Sequence, residues 1–146
     1  MDYVEGVTLT QLKTISNPKG EIKHALKAGE VDYCGFGEAY FSEVRYAEIK
    51  GWKKHSQMTL NIIVPLGQIR FVIYDDREDS RTKGIFSEVI IGVSSYHRLK
   101  IPPLVWVAFQ GVSRDQNLLL NIANIEHDPI ESENQALEKI NYNWEI

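Results

Sequence analysis

From residue 39 onward the chain advances in short stretches rich in Val, Ile, Leu, Phe and Tyr, each closed by Gly, Pro, Asp or Asn. The stretches recur about every ten residues, a rhythm that leaves no room for long helices and predicts an all-β sandwich or barrel. "QIRFVIYD" sets Ile69, Phe71 and Ile73 on one face and Arg70, Val72 and Tyr74 on the other, the alternation of a strand. "RLKIPPLVWVAF" breaks at Pro102 and Pro103, as a strand, a turn and a second strand would. "FSEVIIG" and "NLLLNIA" repeat the theme. Two brief helices are expected, "EIKHALKAG" with Gly29 as its C-cap and "ESENQALEK" near the end. No linker divides the chain, so residues 1–146 are read as a single domain.

The partners expected follow from charge and composition. A net charge of −4 with scattered lysines lacks the basic stripe of a nucleic-acid surface. The apolar runs "NIIVPL" and "IPPLVWVAF" fall far short of the roughly 18 residues of a spanning helix, so no membrane partner is expected. The start "MDYVEGV" has no signal-peptide pattern, which favours a cytoplasmic protein. Cys34, the single cysteine, forms no internal disulfide and has no neighbouring base to activate it. The mixed-sign "DDREDSRTKG" (75–84) reads as a solvated connection between strands.

The stretch "WKKHSQMTLNII" carries the chemistry. As one extended strand over 52–63 it would place Lys53, His55, Gln57, Thr59 and Asn61 on a common face. Turned into a barrel, that polar row would line a cavity rather than fill a core.

Five motifs stand in a familiar order: "NPKGEI", "IKGWKKH", "PLGQIRFVIYDDREDSRTKG", "LKIPPLVW" and "HDPIESE" followed by "INYNW". Through them the chain, from about residue 5 to 146, resembles the dTDP-4-dehydrorhamnose 3,5-epimerase family of sugar-nucleotide epimerases. The resemblance implies a cupin-type jelly-roll barrel (a double-stranded antiparallel β-helix) and a homodimer joined by N-terminal strands. It also implies an isomerase that epimerises a nucleotide-linked 4-keto-6-deoxy sugar in surface polysaccharide biosynthesis. In the family a histidine takes the proton next to the sugar ketone, an aspartate orients it, and a tyrosine returns a proton to the other face.

Matched motif to motif, Lys53 stands at the base position with His55 two residues on. Asn121 stands at the tyrosine, the aspartate falls near Ala136 and Leu137, and Val107 replaces a second histidine. The family's catalytic His, Tyr and Asp are thus unmatched by motif. Two readings of the base remain: Lys53 with a lowered pKa, or His55 with Lys53 stabilising the enolate. Lys19 and Lys50 keep the charge of family arginines near the nucleotide diphosphate. Tyr40, Gln57, Asn61, Arg70, Tyr74 and Asn121 are the expected substrate-binding residues. No cofactor and no metal are expected, because the His-x-His and second-histidine positions of cupin metal sites are not filled and His24, His97 and His127 are scattered. The rival reading is a cupin that binds a sugar nucleotide or carbohydrate, or steadies a partner subunit, without catalysis.

Overall fold

The computed structural model describes residues 3–146. Its strands are β1 (Thr8–Gln11), β2 (Thr14–Ile15), β3 (Ile22–Lys23), β4 (Glu38–Glu43), β5 (Ile49–His55), β6 (Leu60–Leu66), β7 (Gln68–Tyr74), β8 (Phe86–Gly92), β9 (His97–Ile101), β10 (Trp106–Gly111), β11 (Leu118–Ala123) and β12 (Ser132–Asn134). They form two five-stranded antiparallel sheets, ordered β1-β9-β6-β11-β4 and β12-β5-β10-β7-β8, with β2 and β3 as a separate ribbon. This is the expected all-β jelly roll.

The period-two alternation decides what lies between the sheets. Ile69, Phe71 and Ile73 of β7 point inward with Ile91, Leu99 and Ile101, and all are essentially without exposure. Each such side chain contributes about 1.5–3 kcal/mol on burial. The other face of β7 is not solvated, as a half-buried strand would be. Val72 packs with Trp52, Trp106 and Ala108 in a second cluster, covered by Leu137, Tyr142 and Trp144 of the C-terminal segment. Trp52 and Trp144 stand with ring centroids 5.9 Å apart, and Tyr142 and Trp144 5.2 Å apart. The tail is therefore a strap that closes the outer face of one sheet.

Neither expected helix forms. In residues 21–29 the carbonyls of His24 and Ala25 accept hydrogen bonds from Tyr96 Oη (2.8 Å) and Arg98 Nη1 (2.7 Å), so they are spent on tertiary partners rather than on a helical ladder. In the second stretch Gln135 exchanges both backbone hydrogen bonds with Trp52, at 3.2 and 3.0 Å, drawing the chain into the edge of a sheet as β12. Among the described residues, helix is confined to two 3-10 turns, Pro129–Glu131 and Leu137–Lys139. Tertiary pairing has overridden a weak local propensity.

The charge cluster 75–84 is more than a solvated connection. Asp75 is fully buried and accepts from Arg77 Nε (2.9 Å) and Thr82 Oγ1 (2.6 Å). Burial pushes its carboxyl up, but the bonds from Arg77, Ser80 and Thr82 outweigh that and hold it well below the ordinary range. Glu78 and Asp79 keep the solvated role.

The strap has a pH limit. Burial first, and then the hydrogen bond to Glu88, push the Tyr142 phenol up to about 12 from an ordinary 10.0. A phenol kept protonated by the fold stabilises it fully below the unfolded value, and that contribution is lost as pH rises through the folded value. Between pH 10 and 12 the melting temperature should therefore fall, and Tyr142→Phe should flatten that part of the curve. Identical slopes for the two proteins in thermal melts across this range would contradict the assignment.

Candidate functional site

Between the sheets, beside the apolar core, lies a cavity of about 540 Å³, a size that accommodates a small-molecule ligand. Its floor is apolar: Met58, Leu60 and Ile62 from one sheet side, Val107 and Phe109 of β10, and Leu119 of β11. The polar groups are set around this floor. Glu38, Tyr40 and Ser42 come from alternate positions of β4, and Lys50, Lys53 and His55 come from β5. Lys50 and Lys53 share the cavity face because the β5–β10 register shifts between Val107 and Phe109, a bulge that turns one extra residue.

His55 is nearly buried and is held through Nδ1 by a carboxylate oxygen of Glu131. The other oxygen of Glu131 accepts the backbone N–H groups of Gln57 (3.1 Å) and Met58 (3.2 Å). Glu131 is itself 6% exposed. Burial alone would raise its carboxyl, but the hydrogen bonds from His55, Gln57 and Met58 prevail and hold it below the ordinary carboxylate value. An ionised carboxylate only accepts, so the Nδ1 proton of His55 points at Glu131 and Nε2 is left as the proton-accepting atom. The dyad is positioned by two short elements. Asp128 caps the turn Pro129–Glu131, accepting from Ile130 N at 3.0 Å, and β12 then pairs Ser132 against His55.

The cationic end is formed by Lys50, whose Nζ donates to Ser42 Oγ at 3.1 Å, and by Lys53, which has no ion-pair partner among the described residues. Across the cavity Asn121 Nδ2 donates to Tyr40 Oη at 3.1 Å. Of the residues singled out in the sequence, Tyr40, Lys50, Lys53, His55 and Asn121 line this one cavity.

The other candidates lie elsewhere. The single strand expected over 52–63 is two strands, β5 ending at His55 and β6 starting at Leu60. In the intervening turn Gln57 and Met58 turn their N–H groups to Glu131, and Thr59 N donates to Asn124 Oδ1 (2.8 Å). The alternation is thereby reset, so that Leu60 and Ile62 face the cavity. Asn61 faces away, buried with its amide on Asp32 O at 3.2 Å. Gln57 is exposed on the turn. Arg70 lies under the strap, donating to Glu145 O at 3.0 Å, and Tyr74 stacks on Phe86 at 4.5 Å. Lys19 sits in the exposed turn between β2 and β3, its N–H bonded to Asn17 Oδ1, and does not line the cavity.

Motif matching missed Glu131 and His127. The carboxylate sought near Ala136 and Leu137 lies five to six residues earlier, and His127, exposed to solvent, also borders the cavity. Among the described residues no three His, Cys, Asp or Glu side chains converge as a metal-binding group, and no helix is long and apolar enough to cross a membrane.

Comparison with known proteins adds the following. The chain matches no protein-family model. It superimposes on the crystal structure of a dTDP sugar isomerase from Desulfovibrio desulfuricans G20 with a TM-score of 0.93 and 38% identity, over 97% of this chain and 92% of that one. A dTDP-4-dehydrorhamnose 3,5-epimerase from Sulfolobus tokodaii shares the fold (TM-score 0.84, 19% identity, 97% and 84% covered). A probable low-salt glycan biosynthesis epimerase of Haloferax volcanii is 26% identical over 123 residues, 83% of this chain and 79% of that protein.

Proposed function

The chain belongs to the dTDP-4-dehydrorhamnose 3,5-epimerase family of sugar-nucleotide isomerases, and from that membership we propose that it epimerises a dTDP-linked 4-keto-6-deoxy hexose during glycan biosynthesis. The observation that carries this reading is the His55–Glu131 dyad on the wall of a ligand-sized cavity. It supplies a base of suitable type, the His55 already offered by the sequence, fixed in its tautomer by a carboxylate that motif matching did not find.

His55 Nε2 takes the proton from the carbon next to the ketone, and the C–H electron pair becomes the enolate. Glu131 stabilises the imidazolium that forms. Lys53, from the neighbouring inward position of β5, offers positive charge to the enolate oxygen. Lys50, steadied by Ser42, offers it to the diphosphate, as a point charge in place of a bidentate guanidinium. The apolar floor of Met58, Leu60 and Phe109 takes the ring face and the 6-methyl group.

The enzyme would act in the cytoplasm, where nucleotide-activated sugars are made, and as a homodimer. Strands β1 and β4 are unpaired edges of one sheet, and Phe36 and Phe41 beside the β4 edge are 58% and 65% exposed, the kind of surface that a second copy would cover. Sedimentation at micromolar concentration should give twice the chain mass.

Incubation with dTDP-4-keto-6-deoxyglucose in heavy water should place deuterium at C3 or C5, read by mass spectrometry. Lys53→Met should slow that exchange by about tenfold or more with little change in melting temperature. Stabilisation of the protein by the nucleotide sugar without any exchange would select the non-catalytic binding role instead.

A further inference from the structure

An epimerisation through an enolate needs two groups on opposite faces of the ring, one to remove the proton and one to return it. His55 stands on β5, and the sheet that faces it across the cavity contains β4, β6 and β11. Position 121 on β11 offers only an amide, which is no acid. The side chains that β4 turns to the cavity are Glu38, Tyr40 and Ser42. Glu38 is the first residue of the strand, opposite Ala123, whereas Tyr40 lies within it and pairs with Asn121, which pairs in turn with Ile62. These three are neighbours on one rung, facing the cavity between the sheets. The Asn121 amide donates to Tyr40 Oη at 3.1 Å. That bond occupies a lone pair of the phenol oxygen and leaves the phenol hydrogen free for another acceptor.

We infer that Tyr40 is the proton donor on the face opposite His55, so that β4 rather than β11 supplies the acid. The assignment rests on the isomerase reading above. His55 Nε2 removes the hydrogen from the carbon beside the ketone, and the electron pair moves into the C=C bond of the enolate as its oxygen gains the negative charge. That pair then forms a new C–H bond with the hydrogen of Tyr40 Oη, the ketone is restored, and the O–H electrons stay on the phenolate. Loss of a proton from the imidazolium to water and uptake of one by the phenolate complete the cycle with no co-reactant. Delivery from the facing sheet inverts the carbon, whereas a return from His55 would restore the starting sugar.

The test is Tyr40→Phe, with dTDP-4-keto-6-deoxyglucose in heavy water, following by nuclear magnetic resonance both deuterium in recovered substrate and formation of epimer. The expected result is exchange within about threefold of wild type, which also shows an intact fold, with epimer formation reduced about tenfold or more. Epimer formation within about threefold of wild type, or parallel loss of exchange and epimer, would overturn the assignment. Wild-type protein that neither exchanges nor epimerises would instead remove the isomerase reading itself, and the Tyr40 role along with it.

Discussion

Replacing His55 by asparagine should lower the rate of solvent deuterium exchange into a dTDP-4-keto sugar by about 10²–10⁴-fold, the contribution of a positioned general base. Asparagine keeps a hydrogen-bond donor within reach of Glu131 but has no titrating nitrogen, so the fold should survive and thermal melts should move little. The cavity and its lysines are untouched, so the loss should fall on turnover and leave the affinity for the nucleotide sugar nearly constant. A variant that exchanges as fast as wild type would move the base to Lys53, the alternative that the sequence left open. A variant that melts many degrees lower would show that the imidazole is chiefly a structural partner of Glu131.

What the sequence made legible was whatever obeys a short-range rule. The alternation in 68–74, the Pro102–Pro103 break and the stretches 86–92 and 118–123 became strands where they were expected, because burial of one face of a pleated strand leaves a period-two trace. The trace fails at 56–59. "SQMT" carries neither Gly nor Pro, and what bends the chain there is the Glu131 carboxylate accepting two successive N–H groups. A projection of Lys53 through Asn61 onto one face therefore ran past a turn set by a residue more than 70 positions away.

The same distance hid the dyad. His55 and Glu131 are 76 residues apart, and "DPIE" resembles the start of a helix, an aspartate cap with a glutamate three residues on. In the structure Asp128 does cap a turn, but only three residues long, and the glutamate reaches across to the imidazole. The pairing of Tyr40 with Asn121 is a fact of sheet order, since β4 lies beside β11, and no local pattern reports it. Arg70 was misplaced for a related reason. Its side of β7 is covered by the strap, whose contacts are made by the last residues of the chain.

Glu131→Ala should damage stability and activity together, costing about 3 kcal/mol of folding free energy. The carboxylate is almost fully buried and satisfies three donors at once: His55 Nδ1 and the N–H groups of Gln57 and Met58. Alanine leaves all three without a partner where little water can reach, and the cost of abandoning buried donors exceeds the net gain from making the bonds. Glu131→Gln separates the two effects. Its amide oxygen can still accept from Gln57 and Met58, so much of the stability should return. The neutral amide, however, neither stabilises an imidazolium nor fixes the Nδ1–H tautomer, so exchange should stay low. The stabilisation also has a pH signature. Because the folded carboxyl lies below its unfolded value of 4.5, its contribution is complete above that pH and disappears as the pH falls through the folded value. The gap in melting temperature between wild type and Glu131→Gln should accordingly close on acidification below 4.5. A gap that persists unchanged into acid would mean that the charge of Glu131 contributes nothing, and that its role is only to fill space beside His55.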